Sequence, residues 1–135
     1  MAELRQRVVE LGLESRVTFA GFRRDLPRLF EALDIVCVPS RNEAFGLTVI
    51  EAMAAGKAVV GSDSGAIPEL LDAETGRLAA PDDPQAWSDA LAELAADAEL
   101  RKGIGQAARH RVETGFTLAS HVKALIEEYA GQVAS

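Results

Sequence analysis

An α/β fold, a parallel sheet flanked by helices, is what this sequence predicts, and two observations carry the prediction. Short, almost wholly apolar runs at residues 34–38 and 58–60 have the character of strands covered on both faces. They alternate with stretches whose apolar residues recur three and four apart, the helical spacing, and strands alternating with helices build parallel sheets.

Residues 2–12 form the first expected helix, with Leu4, Val8 and Leu11 along one face. Glu14 and Ser15 turn the chain into a short strand at 16–20, rich in β-branched and aromatic residues, which Gly21 ends. Asp25 is placed to cap the next helix, with Pro27 in its first turn, where a missing N–H costs little. Leu26, Leu29, Phe30 and Leu33 make its apolar stripe. In the strand at 34–38, Cys37 reads as a small buried hydrophobe. A helix over about 46–55 ends at the C-cap Gly56, and the strand 58–60 follows.

The glycine- and serine-rich turn 61–65 leads into a short helix through Glu69 and Leu71, where Glu69 is expected to hold local backbone. Thr75 and Gly76 turn into a brief strand at 77–79. Asp83 followed by Pro84 is a strong helix start, and Trp87, Leu91 and Leu94 should dock that helix on the sheet. The pair Asp82–Asp83 therefore reads as capping rather than as metal ligation. Helices at 97–114 and 117–132 follow, broken at Gly115, with Gly103 and Gly105 each weakening the first by about 1 kcal/mol. No repeat, low-complexity tract or linker divides residues 1–135, so a single domain is expected.

Charge and cysteine content narrow the function. A net charge of −7 argues against nucleic acid and against docking on anionic lipid. One cysteine cannot form an internal disulfide, and no Cys/His cluster has metal-ligand spacing, so no metal is expected. His110 and His121 fall on helices away from the candidate cleft and read as surface residues. No apolar run approaches the roughly 20 residues that span a bilayer, and residues 1–5 do not open a signal peptide. A cytoplasmic protein is expected.

The candidate site lies at residues 39–53. Here an apolar strand turns through Pro39 and Ser40 and enters a helix that carries Glu43 and Glu51, eight residues apart. The first N–H groups of a helix have no partner within it and favour a phosphate. Phe45, Gly46, Leu47 and Thr48 form that entry, and Gly46 lets a ligand come close to the backbone. Each carboxylate can accept hydrogen bonds from a diol, and a helix end for a diphosphate with an acid on each side suits a sugar nucleotide. The other reading makes Glu43 a solvated loop acid and leaves Glu51 a helix-dipole contribution. The turn 61–65 could nest an anion or simply join a strand to a helix.

The pattern Pro39-Ser40-x-x-Glu43-x-Phe45-Gly46, then Glu51-Ala52-Met53-Ala54-x-Gly56, closely resembles the signature of the family-4 retaining glycosyltransferases, which have the GT-B fold. The likeness continues through Lys57-Ala58-Val59-Val60-Gly61, Ser64-Gly65-Ala66-Ile67-Pro68-Glu69, Thr75-Gly76-Arg77-Leu78 and Pro81-Asp82-Asp83-Pro84. It starts near Arg16-Val17-Thr18-Phe19-Ala20-Gly21 and reaches Gly115-Phe116-Thr117 and Tyr129.

The resemblance implies a partial Rossmann-like sheet, the incomplete C-terminal domain of a GT-B enzyme, holding a nucleotide-diphosphate sugar as donor substrate without a catalytic metal. Carried over by position, Glu43 would meet the donor sugar and act in catalysis. The amides at Phe45, Gly46 and Leu47 would meet sugar and diphosphate, Thr48 would add a phosphate contact, and Glu51 would bind the ribose. The turn Gly21-Phe22-Arg23 would lie near the base, although Phe22 by itself reads first as a core aromatic. A complete member also has an acceptor-binding N-terminal domain that usually brings a histidine, and two earlier strands with a Gly loop, an Arg and a Lys. Their absence here implies a chain inactive by itself, needing that N-terminal half or a complementary chain. Sheet edges left open could also pair in a homo-oligomer. The alternatives are a non-catalytic interaction or assembly module that has kept the fold, and a related GT-B enzyme such as a nucleotide-sugar epimerase.

Overall fold

A computed structural model describes residues 1–116, so the expected helix at 117–132, with His121 and Tyr129, lies outside the described residues. In chain order the elements are α1 (Ala2–Glu10), α2 (Leu26–Ala32), β1 (Ile35–Val38), α3 (Leu47–Ala54), β2 (Ala58–Ser62), α4 (Ile67–Leu70), β3 (Arg77–Ala79), α5 (Pro84–Ala96) and α6 (Ala98–Gly115). The three strands form one parallel sheet in the order β1-β2-β3, with Val36 opposite Val59 and Gly61 opposite Leu78. The α/β architecture is the expected one.

Alternation along the strands sorts the core into two apolar layers. Val36, Val38 and Val59 face α3, where Val49, Ala52 and Met53 are wholly buried, together with Phe30, Ile67, Leu70, Leu71 and Ala108. On the opposite face Ala58, Val60 and Ala79 meet Leu94 of α5 and Ile104 of α6, with Trp87 and Leu91 packed alongside as expected. Helix α6 thus closes both layers. It comes close to the corner after α3, because a Cβ on Gly105 would lie 2.1 Å from the Gly56 carbonyl oxygen. Gly105, expected only to weaken the helix, is therefore required there, whereas a Cβ on Gly103 meets open space.

Several expectations fail, each for want of a neighbour or through a rival partner. Residues 16–20 form no strand, since no described strand lies beside them to complete a ladder. The amides of Arg16 and Val17 donate instead to the Leu13 carbonyl, and the Phe19 ring lies under the Arg5 guanidinium, 4.5 Å away. Helix α1 buries no residue, so the stripe of Leu4, Val8 and Leu11 meets no core. Cys37 is exposed rather than buried, because β1 is an edge strand among the described residues and its second face is only partly covered. Partial burial still pushes its thiol up, which keeps it protonated at neutral pH. Asp25 stands at the N-cap of α2 but does not cap it; its carboxylate takes the Arg23 guanidinium, with Nε at 2.8 Å.

Candidate functional site

Strands β1 and β2 are adjacent and parallel, so the loops that leave them emerge side by side at one end of the sheet. The loop after β1 runs through Glu43 to Gly46, and the turn after β2 runs through Ser64 and Gly65 into α4. They are fastened together at four places. The Ala66 N–H donates to the Glu43 carbonyl at 2.9 Å, and the Ser64 hydroxyl donates to the Arg41 carbonyl. Gly65, at φ +60°, leaves no room for a side chain, since a Cβ would sit 2.4 Å from the Glu43 carbonyl oxygen and 2.9 Å from its nitrogen. Gly46, at φ +80°, packs on Leu70, where a Cβ would come within 2.5 Å of Cδ1. Only glycine combines those backbone angles with such close approach.

Glu43 is half-buried, and its Oε1 accepts the Gly46 N–H at 3.1 Å, so the carboxylate closes its own loop just before α3 begins. Helix α3 then starts without a side-chain cap. The Ile50 amide is the first to find a partner, at the Gly46 carbonyl, and the N–H groups of Leu47, Thr48 and Val49 precede it. Phe45 and Leu47 are each 61% exposed beside this turn. Leu47, Thr48, Glu51 and Ala54 face outward, while Val49, Ala52 and Met53 face the core. Three- and four-residue spacing therefore sets Glu51 on the same outward stripe as Leu47 and Thr48.

Further along that stripe Glu51 borders a hollow of about 520 Å³, whose other walls are Leu26, Pro27, Phe30 and Glu31 of α2, Ala54 and Ala55, and Arg109 of α6. The two acids thus have different surroundings: Glu43 is held against the turn after β2, and Glu51 looks toward α2. Phe22, expected first as a core aromatic, is 89% exposed just after the turn at Gly21 (φ +66°).

Other candidates resolve into structure. The turn after β2 is engaged by the protein itself, with the Asp63 N–H on the Ala79 carbonyl at 2.8 Å and the Ala66 N–H on Glu43. Asp83 caps α5, accepting from Gln85 N and Ala86 N at 3.0 and 3.1 Å, whereas Asp82 pairs with Arg41 at 2.6 Å instead of capping. Glu69 is exposed, and it is its carbonyl that is engaged, by Arg111 at 3.0 Å. The Arg111 guanidinium also binds Asp72. Burial pushes the Asp72 carboxyl up, but the Thr75 hydroxyl, the Glu74 amide and Arg111 outweigh it and hold the group below its ordinary value. His110 is exposed on α6. Among the described residues no three His, Cys, Asp or Glu side chains could hold a metal ion. The braces at Ser64, Gly65 and Leu70 escaped the sequence reading, because a Gly-Ser turn announces a bend and not what the bend leans on. Arg109 gave no sequence signal either.

The profile of the family described as glycosyl transferases, group 1, matches residues 2–111. The lipopolysaccharide core biosynthesis mannosyltransferase LpcC of Rhizobium leguminosarum bv. viciae is 40% identical over 91% of this chain, which spans 35% of that relative. Other curated relatives are likewise matched over about a third of their length, 37% and 32% in two of them. The structure of Anabaena Alr3699/HepE in complex with UDP superposes with a TM-score of 0.89 and 32% identity, covering 96% of this chain and 36% of that one. The C-terminal domain of a glycosyl transferase group 1 family protein from Francisella tularensis superposes with a TM-score of 0.76 and 36% identity, covering 87% of this chain and 62% of that domain.

Proposed function

Because the chain belongs to the group 1 glycosyl transferases, we propose that it is the donor-binding part of a retaining, family-4 type transferase that takes a nucleoside diphosphate sugar. One observation carries the reading: the uncapped first turn of α3 shares an outward stripe with Glu51. The diphosphate rests on the amides of Leu47 and Thr48 and the Thr48 hydroxyl, against the backbone of Phe45 and Gly46. Glu51 accepts from the ribose hydroxyls, with the exposed Phe22 ring near the base. Glu43 accepts from hydroxyls of the sugar through the oxygen not used by Gly46. The structure of HepE with UDP supports a nucleoside diphosphate as the ligand class.

The hard step of glycosyl transfer is departure of the diphosphate, as negative charge gathers on the leaving oxygen. Amides already aimed at that oxygen need no reorganisation, and one such donor contributes about 3–4 kcal/mol. In this reading the amides meet that charge and no metal is required. The acceptor and its binding wall belong to the remainder of the enzyme, since this chain spans about a third of its curated relatives (35% of LpcC). The reading implies a cytoplasmic enzyme; among the described residues no helix is long and apolar enough to cross a membrane.

Calorimetric titration with UDP-glucose, GDP-mannose and ADP-glucose, each beside its bare nucleotide, tests the reading. One pair should bind, and Glu51→Ala should weaken it by about tenfold to a hundredfold through loss of a charge-assisted hydrogen bond worth about 1.5–3 kcal/mol. A folded chain that binds none at millimolar concentration and self-associates on a sizing column would overturn it in favour of an assembly module.

A further inference from the structure

Resting on that reading, we propose that the turn after β2, through Gly65 and Ser64, is the positioning device for Glu43 and thereby governs recognition of the sugar rather than of the nucleotide. Glu43, the proposed contact to the sugar, belongs to no helix or strand. A carboxylate on a loop can hold a hydroxyl at hydrogen-bond distance only if something fixes the loop. Three of the four fastenings described above act on Glu43 or its near neighbours, and all three come from this turn. The Gly65 backbone lies under the Glu43 backbone, the Ala66 amide holds the Glu43 carbonyl, and Ser64 holds the carbonyl of Arg41. The nucleotide contacts at Leu47, Thr48 and Glu51 sit on the first turns of α3, whose placement depends on the buried Val49, Ala52 and Met53, and Gly46 is held separately against Leu70.

A side chain at Gly65 would therefore act on one part of the site. Its Cβ would meet backbone atoms at 2.4 and 2.9 Å, and these cannot rotate aside as a side chain could. The Glu43 loop must move outward, and a displacement of about 1 Å is enough to lose a directional contact. The helix amides are anchored independently and stay in place.

The experiment compares dissociation constants for the sugar nucleotide and its bare nucleotide, UDP-glucose with UDP or the corresponding pair that binds, in the unaltered chain and in variants. In Gly65→Ala the ratio of the two constants should rise about tenfold, the equivalent of one lost hydrogen bond to a charged group, with the bare nucleotide changed less than about twofold. Ser64→Ala removes a tether without backbone strain, so it should shift the same ratio in the same direction by less, in a chain that folds normally. Gly12→Ala is the control, since Gly12 has φ +64° but nothing within 4 Å of a Cβ, and it should leave the ratio unchanged. An unaltered ratio in both Gly65→Ala and Ser64→Ala would overturn the inference while leaving the donor site standing. So would an equal loss of both ligands in Ser64→Ala. An unaltered chain that binds neither ligand would overturn the donor site itself.

Discussion

Residues 2–25 and residues 26–116 obey the same sequence rules and meet different fates. Both contain helical apolar stripes and a β-branched run. In the second region those residues become a closed double layer, from Phe30 to Ala108. In the first, Leu4 stays 60% exposed, α1 has no buried residue, and Val17 and Thr18 pair with no described strand. The difference teaches that periodicity specifies local form and the side meant to face a core, whereas burial needs a surface to receive that side. The proposed donor elements all draw on the second region except Phe22.

The contrast can be broken most forcefully by truncating one apolar residue on each side. Met53→Ala should destabilise by about 2–5 kcal/mol, because it opens a cavity at a fully buried position, while Leu4→Ala should stay within about 0.5 kcal/mol. Equal losses in urea denaturation would mean that α1 is packed after all. Next in size are the two glycines of α6. Gly105→Ala should lose about 1–3 kcal/mol against the Gly56 carbonyl, and Gly103→Ala should gain about 0.5–1 kcal/mol from helix propensity alone.

The caps offer a smaller and sharper comparison. Asp83→Ala should cost about 1 kcal/mol by thermal melting, since it frees the amides of Gln85 and Ala86. Asp25→Ala should cost no measurable stability, its carboxylate serving only the exposed Arg23. The smallest effect concerns pH. Asp72 has its carboxyl held below the ordinary value in the folded state. The stability it contributes is present above the unfolded carboxylate pKa and is lost as pH falls through the lower folded one. Asp72→Asn should flatten the acid limb of the stability curve slightly, as the site is half exposed and screened. An unchanged acid limb would show that Arg111 and Thr75 confer no net gain.

The same contrast shows how much was legible in the sequence. The alternation of apolar runs with helical stripes was enough for the parallel sheet, and Asp83-Pro84 announced α5 because a cap and an N-terminal proline need only local chemistry. Asp25 carried the same signal and lost its role to Arg23, a competitor two residues away. The runs around Cys37 and Val60 looked alike, yet β2 lies at the centre of the sheet and β1 at its edge, and strand order is not a local property. Of the candidate site, the glycine at 46 and the outward Glu51 were readable from spacing. The supports beneath them were not, since Gly65 under Glu43 and Leu70 under Gly46 join residues more than twenty positions apart.

The central claim is that the first turn of α3 offers free amides to a charged ligand. Following backbone amides by NMR during titration with UDP-glucose, GDP-mannose and ADP-glucose tests it most directly. The uncapped start of α1 in the same spectrum reports any unspecific attraction of anions. The account predicts saturable shifts at Leu47, Thr48 and Val49 with one of the three ligands, while the first amides of α1 stay still. Unmoved α3 amides in a folded chain, or shifts of equal size at both helix starts, would contradict it.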